Sequence, residues 1–256
     1  RHTRYWRDWS SDECSSDLAK GALRAGAGLV TVASTEDVCA AVAAQVPEVL
    51  LVPMNFDSVG ATMLLTDQDR FDAGLFGPGM TTDHSVRDFL SNVFAGWRRP
   101  AVVDADALNL VSQGVSLPNA PCVLTPHPGE AARLLSCSVA DIQGDRFAAV
   151  RQLAQKYRSS ALLKGTYSLV SDPLGQVAVN PTGNPGLATG GSGDTLAGII
   201  TVLLAQGLTP SDAATCGMYW HGLAADHCAE RIGTVGYLPS DVAERLPATR
   251  DTMLQL

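Results

Sequence analysis

The stretch GNPGLATGGSGDTLAGII, Gly183 to Ile200, carries the strongest chemical signal in the chain. Four glycines fall between Gly186 and Gly193, directly ahead of an apolar pattern with helical spacing. Glycine lets the backbone turn successive N–H groups toward one point, and a helix N-terminus adds partial positive charge. The product is an anion hole, suited to the charge on a phosphoryl group in transfer. Asp194 stands at the mouth of the helix, where a carboxylate can act as base on a substrate hydroxyl or simply cap the helix. The segment Asn184 to Asp194 is therefore read as the working centre, with Asp194, Gly191 and Gly193 catalytic and Asn184 beside Asp194 on the substrate. No GxxxxGK[ST] is present and no GxGxxG follows a strand, so this is neither a Walker loop nor a dinucleotide motif.

Four shorter motifs each close a strand. LTPHPGE, Leu124 to Glu130, sets His127 between two prolines that stiffen the loop and expose the imidazole. There it can donate a hydrogen bond to a substrate amide or hydroxyl, or stand as a surface histidine ahead of a helix begun by Glu130. VVDADALN, Val102 to Asn109, ends a strand with two acids at the edge where parallel sheets bind ligands. Asp104 can help hold Mg²⁺ with phosphates, because that ion takes one or two carboxylates and keeps waters; Asp106 and Asn109 read as caps. GPGM, Gly77 to Met80, lets backbone approach a ligand closely at Gly79, or is a plain turn. LLKGTYS, Leu162 to Ser168, puts Lys164 at a strand end, for a nucleotide or as the solvated lysine of a hairpin. His221 and His227, with Asp226, are spaced i and i+6, which is not the i, i+4 spacing of a zinc pair. They are read as structural, and no set of metal ligands is assigned.

Taken in order, ADALN, LTPHPGE, LKG and GGSGD resemble the ribokinase-like superfamily and, within it, the ADP/ATP-dependent NAD(P)H-hydrate dehydratases, from about Ala19 to the C-terminus. The resemblance implies an α/β fold, a three-layer α/β/α sandwich with a mostly parallel central sheet. It implies that Gly79 and His127 touch the hydrated nicotinamide nucleotide, and that Lys164, Gly165, Thr166, Tyr167 and Ser168, with Gly193, line the adenine nucleotide. TYS stands where a small residue and then threonine are expected. The implied reaction uses ADP or ATP, with Mg²⁺, to phosphorylate the hydroxyl at C6 of the hydrated ring of NADH or NADPH (the S-epimer). Phosphate then leaves and the dinucleotide is restored. A homo-oligomer, a tetramer, is also implied. A ribokinase-like kinase of a vitamin-precursor alcohol would share the GxGD turn, although TPHPGE and ADALN speak against it. A catalytically inactive nucleotide-binding relative is the other alternative.

Positioning these motifs requires alternating elements. Strands are expected near 29–33, 49–52, 73–76, 101–104, 122–125, 161–163 and 168–170. Helices are expected near 35–45, 84–94, 107–111, 145–157, 194–206 and 211–230, and the end of another is read at Leu18, Ala22 and Leu23, with a glycine stop near Gly26 and Gly28. Leu196, Ile199, Ile200, Leu203 and Leu204 form one apolar stripe, closed by Gly207 and Pro210. Strand and helix in alternation with short joints argue for a mostly parallel sheet covered on both faces.

Composition sets the outer limits. The 256 residues suit a single large α/β domain, and 46% hydrophobic residues with 6% aromatics call for an aliphatic core. A formal charge of −8 disfavours nucleic acid and anionic lipid as partners. The six cysteines show no CxxC spacing and read as reduced core thiols of a cytoplasmic protein. No signal peptide and no long apolar run is read. Residues 1–18 differ in texture, with three arginines, two tryptophans and few aliphatics. They read as an adapter-like segment outside the fold, standing where the family's first strand and glycine-rich loop would be. The expected domain is 19–256.

Overall fold

A computed structural model describes residues 11–253. The chain opens with α1 (Ser11–Arg24), β1 (Thr31–Ser34), α2 (Glu36–Gln45), β2 (Leu50–Pro53) and α3 (Ser58–Asp67). β3 (Gly74–Phe76), α4 (His84–Gly96), β4 (Ala101–Val103), α5 (Ala105–Ser112) and β5 (Cys122–Leu124) follow. Then come α6 (Pro128–Leu135), α7 (Val139–Gly144), α8 (Arg146–Tyr157), β6 (Ser160–Leu163), β7 (Leu169–Ser171) and β8 (Val177–Val179). The end is helical: α9 (Ser192–Ala205), α10 (Pro210–Ile232) and α11 (Pro239–Met253).

β3 to β8 form one sheet in chain order, parallel from β3 to β6 and antiparallel from β6 to β8. Its two faces follow from the period of two along each strand. Ala101 and Val103 of β4, Cys122 and Leu124 of β5, and Ala161 and Leu163 of β6 join the core shared with α4, α5, α6 and α8. The residues between them, Val102, Val123 and Leu162, join the core shared with α9, α10 and α11. Both faces are buried, and each Val or Leu side chain among them contributes about 1.5–3 kcal/mol by leaving water. This is the three-layer sandwich expected.

The sheet departs from expectation at its far side. β1 and β2 pair in parallel but form a separate two-stranded sheet with a small core of its own around Val32, Val42, Val46 and Val49. A cavity of about 630 Å³ lies between β1 and β3 and is lined by residues of both.

α1 begins at Ser11, so a boundary drawn after Leu18 falls inside an element. Its crossing with α9 is tight. A Cβ on Gly198 would lie 2.4 Å from the Leu18 carbonyl oxygen, and one on Gly21 would lie 2.7 Å from that of Thr195. Ser16 is buried and Leu18 packs on α9, so this part of α1 belongs to the fold; the expectation for residues 1–10 lies outside the described residues.

Candidate active site

Four parallel strands end on one edge of the sheet, and each delivers a predicted motif there: GPGM after β3, Asp104 after β4, TPHPGE after β5 and Lys164 after β6. The N-terminus of α9 meets the same edge. Gly191 caps that 14-residue helix with φ +83°, and Asp194 lies in its first turn. A side chain at Gly191 would strike Asp17 Oδ2 at 2.0 Å, so glycine is required for conformation and for space.

Lys164 is the centre of the cluster. Its Nζ donates to Asp104 Oδ1 at 2.8 Å and lies 3.4 Å from where a Cβ of Gly193 would sit. Asp104 is 1% exposed, and its Oδ1 also accepts the Ala105 N–H at 2.8 Å, capping α5. Burial alone would pull the Lys164 ammonium pKa down. The Asp104 and Glu130 carboxylates outweigh it and hold the ammonium above its ordinary value. The resemblance groups Lys164 with the loop Gly165 to Ser168, but its charged end belongs to the Asp104 and Asp194 side of the site.

Asp194 titrates far from its ordinary range. Burial and then the Asp104 carboxylate raise its pKa, Lys164 and a hydrogen bond from the Cys14 thiol oppose them, and the result is about 7. A base poised there matches the pH at which it would work. The Cys14 thiol is itself pushed up to about 12, by burial and then by Asp194, so it serves as a donor rather than a nucleophile.

His127 begins α6 in a capping box. Its Nδ1 accepts the Gly129 N–H at 2.9 Å, and Glu130 Oε2 accepts the His127 N–H at 2.8 Å. With Nδ1 an acceptor, the ring proton of the neutral imidazole is on Nε2, the atom left for a ligand, 3.4 Å from Glu130 Oε1. Burial, then Lys164 and Arg133, lower the His127 pKa and keep the ring neutral. Glu130 is raised to about 7, first by burial. Read from sequence only as a helix start, it is 5% exposed and links the histidine to the lysine's field.

Asn184 is placed differently from expectation. Its side chain donates to Asp226 at 2.9 Å, accepts the Gly186 N–H at 3.1 Å and accepts the Tyr237 hydroxyl at 2.7 Å. These bonds fix the glycine-rich loop against α10. Asp226 also accepts the Gly183 N–H, so this acid is a loop anchor. His221 is buried and forced down to about 4 by burial, as befits a structural residue. Gly79 has φ +70° and lines the 630 Å³ cavity, which none of the other expected site residues does. Gly77, at φ +127°, admits no side chain, since a Cβ would meet the Asp104 carbonyl oxygen at 1.8 Å.

Among the described residues five other than glycine have positive φ. Ser136 and Arg158 are helix C-caps, whereas Thr81, Ala105 and Tyr167 each adjoin a site motif. Strain of this kind persists where the surroundings dictate the backbone. Thr81 is held by its N–H bond to Asp106 at 3.0 Å.

Among the described residues no group of three or more His, Cys, Asp or Glu could hold a metal ion. The Asp104 and Asp194 carboxylates lie in each other's field at the sheet edge, since Asp104 raises the Asp194 pKa, and that concentration of negative charge attracts cations.

The family model described as NAD(P)H-hydrate dehydratase matches residues 18–248. The chain is 40% identical over 238 residues to a bifunctional NAD(P)H-hydrate repair enzyme of Moorella thermoacetica, covering 90% of this chain and 45% of that protein. It is also 40% identical over 240 residues to an ADP-dependent (S)-NAD(P)H-hydrate dehydratase of Neisseria meningitidis, covering 91% and 77%. The chain thus spans about half the length of the bifunctional relatives it matches. Among solved structures it resembles the Bacillus subtilis ADP/ATP-dependent NAD(P)H-hydrate dehydratase co-crystallised with ATP/Mg²⁺. That match has a TM-score of 0.81 and 27% identity, and covers 95% of this chain and 86% of that one. The three-layer fold is of the ribokinase-like kind.

Proposed function

Because the chain belongs to the NAD(P)H-hydrate dehydratase family, we propose that it restores hydrated NAD(P)H by dehydration, with ADP or ATP as phosphoryl donor. The observation that carries the reading is the carboxyl of Asp194, titrating at about 7 in the first turn of α9 beside the Lys164–Asp104 pair.

Asp194 takes the proton of the C6 hydroxyl as the hydroxyl oxygen attacks the terminal phosphoryl group, and the bond from that phosphorus to the bridging oxygen breaks, releasing ADP from ATP or AMP from ADP. The N–H groups at the head of α9, around Gly191 and Gly193, and the Lys164 ammonium face the charge that grows on that group. The C6–O bond then breaks and phosphate carries its electron pair away. Loss of a proton completes the double bond, so water leaves in the form of phosphate. His127 holds a substrate amide or hydroxyl through Nε2–H, and the backbone at Gly79 lies against the dinucleotide. The loop Gly165 to Ser168 takes the adenine nucleotide. Asp104 is the residue that would help hold Mg²⁺, which when bound would neutralise phosphate charge.

The acidic chain acts on small molecules in the cytoplasm as a homo-oligomer, a tetramer, in this reading. Among the described residues no helix is long and apolar enough to cross a membrane.

The test mixes purified protein with hydrated NADH, Mg²⁺ and either ADP or ATP, and follows recovery of the reduced-nicotinamide absorbance. Nucleotide-dependent recovery that Asp194→Asn loses is expected. A phosphorylated product that persists would instead mark a kinase, and nucleotide binding without turnover an inactive relative.

A further inference from the structure

The loop between β6 and β7 turns through two positive-φ residues, one of which is a tyrosine. Gly165 has φ +143° and Tyr167, a bulky residue, has φ +50°. Within the loop Ser168 Oγ reaches the Gly165 carbonyl at 3.0 Å. What gathers the rest is Arg146, first residue of α8 and 17–20 positions upstream. One Nη donates to the Thr166 carbonyl, and the other lies 3.3 Å from the Leu163 carbonyl and 3.5 Å from that of Lys164. The start of α8 is itself fixed, because Asp145 caps it by accepting the Ala148 N–H at 2.9 Å.

The consequence lies on the other side of the peptide planes. In a trans peptide the C=O and the next N–H point in opposite directions. Turning the Lys164 and Thr166 carbonyls onto Arg146 therefore turns the N–H groups of Gly165 and Tyr167 away from it. Among the described residues neither N–H has a protein hydrogen-bond partner. Two backbone donors are thus aimed out of one strained loop, the arrangement that receives phosphate or heterocycle acceptors. A Cβ on Gly165 would come within 3.0 Å of the guanidinium, so glycine permits the close approach. Lysine could not replace this arginine, since a point charge does not span several carbonyls as a planar fork does.

We infer that Arg146 is a positioning residue for the adenine nucleotide, clamping Gly165 to Ser168 so that the Gly165 and Tyr167 N–H groups face it. The inference rests on the reading of that loop as the nucleotide site.

ADP and ATP binding to wild type, Arg146→Lys and Arg146→Ala, measured by titration calorimetry, tests it, alongside steady-state kinetics. Arg146→Ala should weaken both nucleotides about tenfold or more. It should raise KM for the donor while leaving kcat at saturation within about threefold. Arg146→Lys should stay weak, and free guanidinium ion at a non-denaturing concentration should restore Arg146→Ala. If alanine unfolds the chain, Arg146→Gln, which keeps bulk and one amide donor pair, takes its place with the same expectation. Variants that bind as tightly as wild type, or lose kcat with KM unchanged, overturn the clamp alone. A wild type that binds neither nucleotide overturns the nucleotide site and the clamp with it.

Discussion

A carboxylate is most at ease in water, and Asp194 has been withdrawn from it. Two measurable effects follow. As base, Asp194 must be ionised, so kcat/KM should rise with pH along a limb centred at about 7. Asp194→Asn should lose at least about a hundredfold in rate. Stability moves the other way. The folded carboxyl titrates at about 7 against an ordinary 3.8, so the folded state holds the proton more tightly. Stability is then greatest below the ordinary range and falls as pH rises toward 7. Asp194→Asn should therefore melt above wild type at about pH 8 and level with it at about pH 4 in a calorimetric scan. Glu130 contributes with the same sign, but the difference between the two proteins isolates Asp194. Lys164→Met leaves Asp104 buried and unpaired, and should cost about 3–5 kcal/mol in urea unfolding. Adding Asp104→Asn should recover most of that loss. The shared place of Asp194, Asp104, Lys164 and His127 at one sheet edge was legible because these types stand at strand or helix ends. The commitment of Asn184 was not, because its partners Asp226 and Tyr237 lie 42 and 53 residues away and leave no local trace.

At the scale of elements, periodicity revealed those with long or uninterrupted apolar patterns and missed the others. α3 went unread, although Asp57 caps it by accepting the Val59 and Gly60 N–H groups at 2.9 Å each. α11 carries Pro247 in its interior, and β8 has only three residues after a turn. The end of α1 was legible from Leu18, Ala22 and Leu23, whereas its polar first turns were not. What marks α1 as part of the fold is a contact no pattern shows, glycine against backbone at the crossing with α9. Gly198→Ala tests this contact. Alanine improves helix propensity by about 1 kcal/mol, but its Cβ would lie 2.4 Å from the Leu18 oxygen. Overpacking of roughly 1–3 kcal/mol should win, seen as a lower urea midpoint. A midpoint raised by the propensity gain would show that the crossing yields easily.

For the molecule as a whole, the two buried faces of the six-stranded sheet make most of the chain one cooperative body. The pair β1–β2 is less firmly bound to it. It makes no strand-to-strand hydrogen bonds with that sheet, rests on a small core of five buried residues that reaches α1 through Ala19, and borders the large cavity. With no hydrogen-bond ladder to the six strands, this corner can open without breaking the main sheet. In native-state hydrogen exchange the amides of Thr31 to Ser34 should report an opening free energy well below the global value. Those of Ala101 to Val103 should exchange only when the entire chain unfolds. The protein would then consist of two foldons of unequal rank, the weaker one spending brief intervals detached while the strand ends that carry Asp104, His127 and Lys164 keep their places.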